Sequence, residues 1–199
     1  MPVAQETAPN EPGGSRRRAR LRLGAVLAVA LVAAFVAWLL LSDNDNEDAA
    51  GDGANTADAT AARSATQEEL VELAGSLDYP IYWAGSLPDR TFELTRTSSG
   101  RVYIRYLPPG VEPGDPDPGY LTVGTYPQAN GYAAVRAASR RPNTLSRQAA
   151  GGALIVYNRA RPRSAYFSFP DARFQVEVFH PTPGRARQLT LSGRITRVR

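Results

Sequence analysis

His180 is the only histidine in this 199-residue chain, and there is no cysteine. Those two counts remove most familiar reactive centres. Thiol nucleophiles, disulfides and cysteine zinc sites are excluded, and one histidine alone makes a poor metal site. A Ser-His-Asp triad would have to use His180, yet no G-x-S-x-G elbow presents a serine nucleophile. His180 instead stands between a predicted strand and Pro181, the ordinary place of a turn residue. Two carboxylates can act as a pair without histidine. Glu93 and Glu177 are the acids inside predicted strands, but they read as isolated residues on alternating faces, with nothing grouping them. No glycine-rich phosphate cradle is present. No catalytic residue, metal or cofactor is assigned.

Binding chemistry is better represented. Glu112, Asp115 and Asp117 lie in the loop PPGVEPGDPDPG, residues 108–119, and could offer oxygens to calcium. The D-x-D spacing falls short of a full calcium loop, and the prolines stiffen the chain where wrapping is needed, so a solvated loop is expected. All 23 basic residues are arginine. A GC-rich genome accounts for that bias; selection for bidentate phosphate or carboxylate contacts is the alternative. Position carries more information. Residues 66–117 hold nine acids and four arginines, a net of −5, whereas residues 136–199 hold thirteen arginines and two acids, a net of +11. Arg159, Arg161 and Arg163 fall in one predicted hairpin turn, and Arg194, Arg197 and Arg199 lie in the tail. An anionic partner fits this half: a phosphate-bearing wall polymer, lipid headgroups or an acidic protein. The alternative is a solvated basic surface balanced by the acidic half. No nucleic-acid motif is present and no nucleic acid is expected. Tyr79, Tyr82 and Trp83 could stack on sugars, but such a cluster is more simply core beneath a sheet.

These side chains need elements to hold them. Thr66 and Glu69 fit a capping box, and Leu70, Leu73 and Leu77 share a helical face, which predicts a helix over 67–77. Period-two alternation predicts strands at 92–95 and 102–106 around the turn Ser98-Ser99-Gly100, and a third at 120–126. A helix follows through Ser139. Strands at 154–157, 165–169 and 174–179 repeat the order, and a helix ending at Gly193 completes it, although Leu189 and Leu191 also fit a strand. The class is α+β: a mainly antiparallel sheet with two or three helices on one face, its element order readable as a βββα–βββα pseudo-repeat or as an ordinary meander with two helices.

The remaining third of the chain positions the domain. Residues 23–41, LGAVLAVALVAAFVAWLLL, contain no charge and no proline. As a helix they reach ~28 Å, enough for the hydrocarbon core. Arg16, Arg17, Arg18, Arg20 and Arg22 precede the run, while Asp43, Asp45, Glu47 and Asp48 follow it, so residues 1–22 are assigned to the cytoplasm. Arg20, Arg22 and Trp38 are the interfacial residues. The run is too long for a signal h-region and ends without a small-x-small site, so it reads as an uncleaved anchor. Residues 42–65 are acidic and lack large apolar side chains; they are expected to form a disordered linker with a reach of ~25–30 Å. Residues 66–199 are then an extracytoplasmic globular domain.

The stretches YPIYWAG, GRVYIRYLPPG and LTVGTYP are similar to segments of uncharacterised single-pass exported proteins of high-GC, actinobacterial-type bacteria. The resemblance covers most of residues 79–130 and the anchor layout. It implies a cell-envelope setting and carries no activity or site with it. The expected function is a non-enzymatic, membrane-tethered binding module; the alternative is an envelope hydrolase or transferase with an unfamiliar site. A deep cleft with convergent acids would favour the enzyme, and a flat basic face the binder.

Overall fold

The strongest local signal, Thr66 with Glu69, starts the first helix as expected. In the computed structural model, which describes residues 60–199, helix α1 spans Gln67–Ser76. The Glu69 amide donates to the Thr66 hydroxyl at 3.2 Å, and the Thr66 amide donates to the Glu69 carboxylate at 2.7 Å. This reciprocal cap satisfies two amides that the helix geometry leaves open. Leu70 is fully buried below it.

The described residues form an α+β fold. Ten strands run β1 Arg63–Ala65, β2 Tyr82–Trp83, β3 Thr91–Arg96, β4 Val102–Leu107, β5 Thr122–Pro127, β6 Thr144–Gln148, β7 Leu154–Asn158, β8 Arg161–Ser168, β9 Phe174–Phe179 and β10 Thr196–Arg197. Helix α2, Gly131–Ala138, follows β5, and α3, Arg185–Leu191, follows β9. Eight strands make one antiparallel sheet in the order β1-β3-β4-β5-β9-β8-β7-β6, while β2 and β10 pair as a separate ribbon. The order is mirrored about the β5–β9 pair.

Register fixes two ends. Leu107 lies opposite Thr91, Thr122 opposite Phe179, Ser164 opposite Phe179, and Asn158 opposite both Arg161 and Thr144. These positions lie together at one end of the sheet, the far end. Arg96 lies opposite Val102 and Pro127 opposite Phe174, at the entry end. There the Thr60 amide and hydroxyl both bond the Arg96 carbonyl, at 2.7 and 2.9 Å. The folded region therefore begins ahead of the expected boundary at residue 66. Edge strand β1 needs only backbone pairing and one small apolar residue, Ala65, so composition assigned it to the linker. The expected membrane helix at 23–41, with Arg20, Arg22 and Trp38, lies outside the described residues, as does the linker up to residue 59. Among the described residues no helix is long and apolar enough to cross a membrane.

Side-chain alternation gives the sheet two unlike faces. One is apolar: Leu94, Ile104, Val123, Val176 and Ile155 pack under α1, the ribbon and α3. Tyr82 meets Phe167 edge-on and Trp83 meets Phe92, so the early aromatics are core. The other face is polar. The expectation that helices share one face is corrected here: α2 lies on the polar face, where Val135 and Ala138 pack on Val156 and Tyr166. Gly131 allows this approach, because a Cβ there would lie 2.2 Å from the Phe174 carbonyl oxygen.

Candidate functional site

Five arginines collect at the far end. The hairpin between β7 and β8 is shorter than expected. It turns at Asn158–Ala160, where the Asn158 side chain accepts from the Ala160 amide at 2.8 Å. Only Arg159 lies in that turn; Arg161 and Arg163 stand on β8. Between Asn158 opposite Arg161 and Tyr157 opposite Ala165 the register jumps, so Pro162–Ser164 bulge away from β7. Backbone bonds tie this bulge to its neighbours. The His180 amide donates to the Arg163 carbonyl at 2.9 Å, and the Gly184 amide to the Pro162 carbonyl at 2.7 Å. The Arg159 amide donates to the Asn143 carbonyl at 2.8 Å. Arg140 and Arg185 are thereby drawn in beside Arg159, Arg161 and Arg163, and all five are exposed. The sequence reading missed Arg140 and Arg185. Their signal was present only as general basicity, because strand pairing between residues some twenty apart decides their company.

Arg194 and Arg197 do not join this group. They follow α3, a further ~10 Å of helix. The Arg197 guanidinium donates to the Tyr82 hydroxyl at 3.1 Å, and Tyr82 stacks on Phe169 toward the entry end. His180 takes a turn role. Its Nδ1 accepts from the Thr182 amide at 3.0 Å, and burial, with the charge of Arg185, holds its pKa below the usual value.

On the polar face, the loop of Pro and Gly residues wraps a cation already supplied by the protein. Arg105 pairs with Glu93 at 2.7 Å, with both side chains almost wholly buried. Its other amine donates to the carbonyls of Asp115 and Asp117, at 3.2 and 2.7 Å, and Tyr120 lies over the guanidinium at 5.0 Å. The Gly114 amide closes the knot on Glu93 at 2.8 Å. The Asp115 and Asp117 carboxylates accept from the loop's own amides and from Tyr120. The loop is thus a structured cover whose outer side, with Glu112 and Asp117, faces solvent.

Glu177 occupies the centre of the same face. Gly124, Glu177 and Tyr166 stand in one row, and Tyr126 starts two residues along β5, the next position on the same face. Because Gly124 has no side chain, the Tyr126 ring lies across it and reaches Glu177. A Cβ on Gly124 would sit 2.8 Å from the Tyr126 hydroxyl. The carboxylate accepts from Tyr166 at 2.6 Å and from Tyr126 at 2.8 Å. Burial pushes its pKa up to about 7, against the pull of the hydroxyls of Tyr166, Tyr126 and Ser164. Nearby, the Gln175 amide is buried without a hydrogen-bond partner among the described residues.

Glu93 and Glu177 therefore share a face, contrary to the sequence reading, because both point away from the apolar core. Three strand spacings, ~14 Å, separate β3 from β9, well beyond the spans that glycosidase carboxylates use. Each acid is also held by its own partners. No family model, curated protein or solved structure matches this chain.

Proposed function

We propose that this chain is a membrane-anchored binding module of the bacterial cell envelope, with its domain outside the cell and an anionic partner bound at the far end. One observation carries the reading. The chain enters the sheet at one end, through Thr60 on Arg96, while Arg140, Arg159, Arg161, Arg163 and Arg185 gather at the other. A tethered receptor has that layout: one end holds and the other contacts. The apolar run at 23–41 supplies the tether, with arginines before it and acids after it setting the N-terminus inside. The separation of Glu93 from Glu177 favours binding over hydrolysis. We also read β3-β4-β5 and β7-β8-β9 as two copies of one strand unit, on the mirrored order. The copying extends to strands alone, since α2 and α3 lie on opposite faces.

The test is binding by the full chain held in zwitterionic nanodiscs, measured against polyanionic and neutral polysaccharides while salt is raised. Binding to the polyanion that weakens steeply with salt is expected. Binding that ignores salt, or that is equal for the neutral polymer, would overturn the reading.

A further inference from the structure

The far-end arginines span the ends of four neighbouring strands. In sheet order, Arg185 follows β9, Arg163 and Arg161 lie on β8, Arg159 is in the turn to β7, and Arg140 precedes β6. Strands are ~4.8 Å apart, so the row covers ~14 Å. A row of that length faces charge repeated along a chain better than one isolated anion. Guanidinium groups suit phosphate because their paired N–H donors match two oxygens at once. The backbone bonds among these turns fix the points from which the side chains spring, while the exposed guanidinium groups, with Arg185 resting on Gln188 at 2.6 Å, are ordered when a ligand is bound.

Two further observations bear on the source of the phosphate. The chain runs toward its anchor from Thr60, at the opposite end of strands that are six residues and ~20 Å long. The row thus lies at the end away from the point of attachment, while Arg96 and Arg173 stand at the entry end. The far end also bears Asp89, Glu112 and Asp117 above the β3–β5 half, all exposed, against one exposed arginine there, Arg90. They would repel an anionic bilayer surface laid flat on that end, yet a thin polymer can run along the arginine half beside them.

We propose that the far end docks a linear phosphodiester polymer lying beyond the membrane, not the headgroups of the membrane that holds the protein. The inference rests on the envelope-binding reading above and narrows it to one chemical class and one source.

The experiment uses the full chain in zwitterionic nanodiscs with poly(glycerol phosphate) as the probe. One variant combines Arg159→Glu, Arg163→Glu and Arg185→Glu at the far end. A second combines Arg96→Glu and Arg173→Glu at the entry end, both exposed positions. A glutamine version of the far-end variant removes charge without reversing it, and unfolding midpoints verify that each variant is folded. The far-end glutamate variant should lose at least about tenfold in affinity, its glutamine version somewhat less, and the entry-end variant no more than about twofold. Discs containing phosphatidylglycerol should leave the polymer affinity of the unmodified chain within about twofold. Equal losses in the two glutamate variants would overturn the site. Displacement of the polymer by phosphatidylglycerol in the same disc would overturn the source and leave the anion-binding reading standing. No binding of polymer or lipid at low salt would end both.

Discussion

Glu177 couples the polar face to pH. In the fold its carboxyl keeps a proton up to about 7, whereas the unfolded chain releases it near 4.5. Between those values unfolding releases a proton, so rising pH favours the unfolded state. Stability from this group is therefore greatest below about pH 4.5, declines through the window to about 7, and is flat above it. The whole effect is roughly 3 kcal/mol. His180 works in the opposite sense, because its depressed pKa makes acid destabilising. The clean measurement is thus a signed difference: the change in urea midpoint from pH 5 to pH 8 should be more positive in Glu177→Gln than in the unmodified chain, and equal changes would contradict the assignment. Gly124 offers a second check on the same network. In Gly124→Ala the new methyl meets the Tyr126 hydroxyl and the Tyr103 ring, so the Tyr126 bond to Glu177 should fail at a cost of about 1–3 kcal/mol in unfolding free energy. None of this network was legible in the sequence. Glu177, Tyr126 and Tyr166 are up to 51 residues apart, and only the strand order brings them together.

The loop at 108–120 is the element that most depends on a single side chain. Removing Arg105 strands a buried Glu93 and frees two loop carbonyls, a change of the kind that costs about 3–5 kcal/mol. Arg105→Ala should therefore raise hydrogen exchange across this loop well before it raises exchange in β9; uniform loosening would mean that the loop is held by other contacts. Other elements were readable in advance. The capping box at Thr66 and the alternation of Phe92 with Leu94 and of Val102 with Ile104 fix α1, β3 and β4 from local pattern alone. Strands β6 and β10 were invisible because Thr-Leu-Ser-Arg-Gln and Thr-Arg alternate no clear apolar face; as short edge or ribbon strands they need only backbone pairing. The face chosen by α2 was equally hidden. It depends on a contact between Gly131 and the backbone of Phe174, and on Val156 offering an apolar strip within a polar face.

At the scale of the whole molecule, direction matters more than composition. The sequence separated an acidic half from a basic half, but only the fold shows that chain entry and the arginine row stand at opposite ends of one sheet. The absence of cysteine makes the proposed topology easy to test. Ser99→Cys, in an exposed turn of the domain, should react with a membrane-impermeant maleimide in intact cells, whereas Ser15→Cys should react only after lysis. The reverse pattern would invert the orientation. The most direct measurement of the account as a whole is the salt dependence of poly(glycerol phosphate) binding to the full chain. Five arginines that each neutralise a phosphate predict a slope of log affinity against log salt of roughly −3 to −4. Removing Arg159 and Arg163 together should reduce its magnitude by roughly one to two. A slope near zero, or one unchanged by their removal, would contradict the far-end binding site.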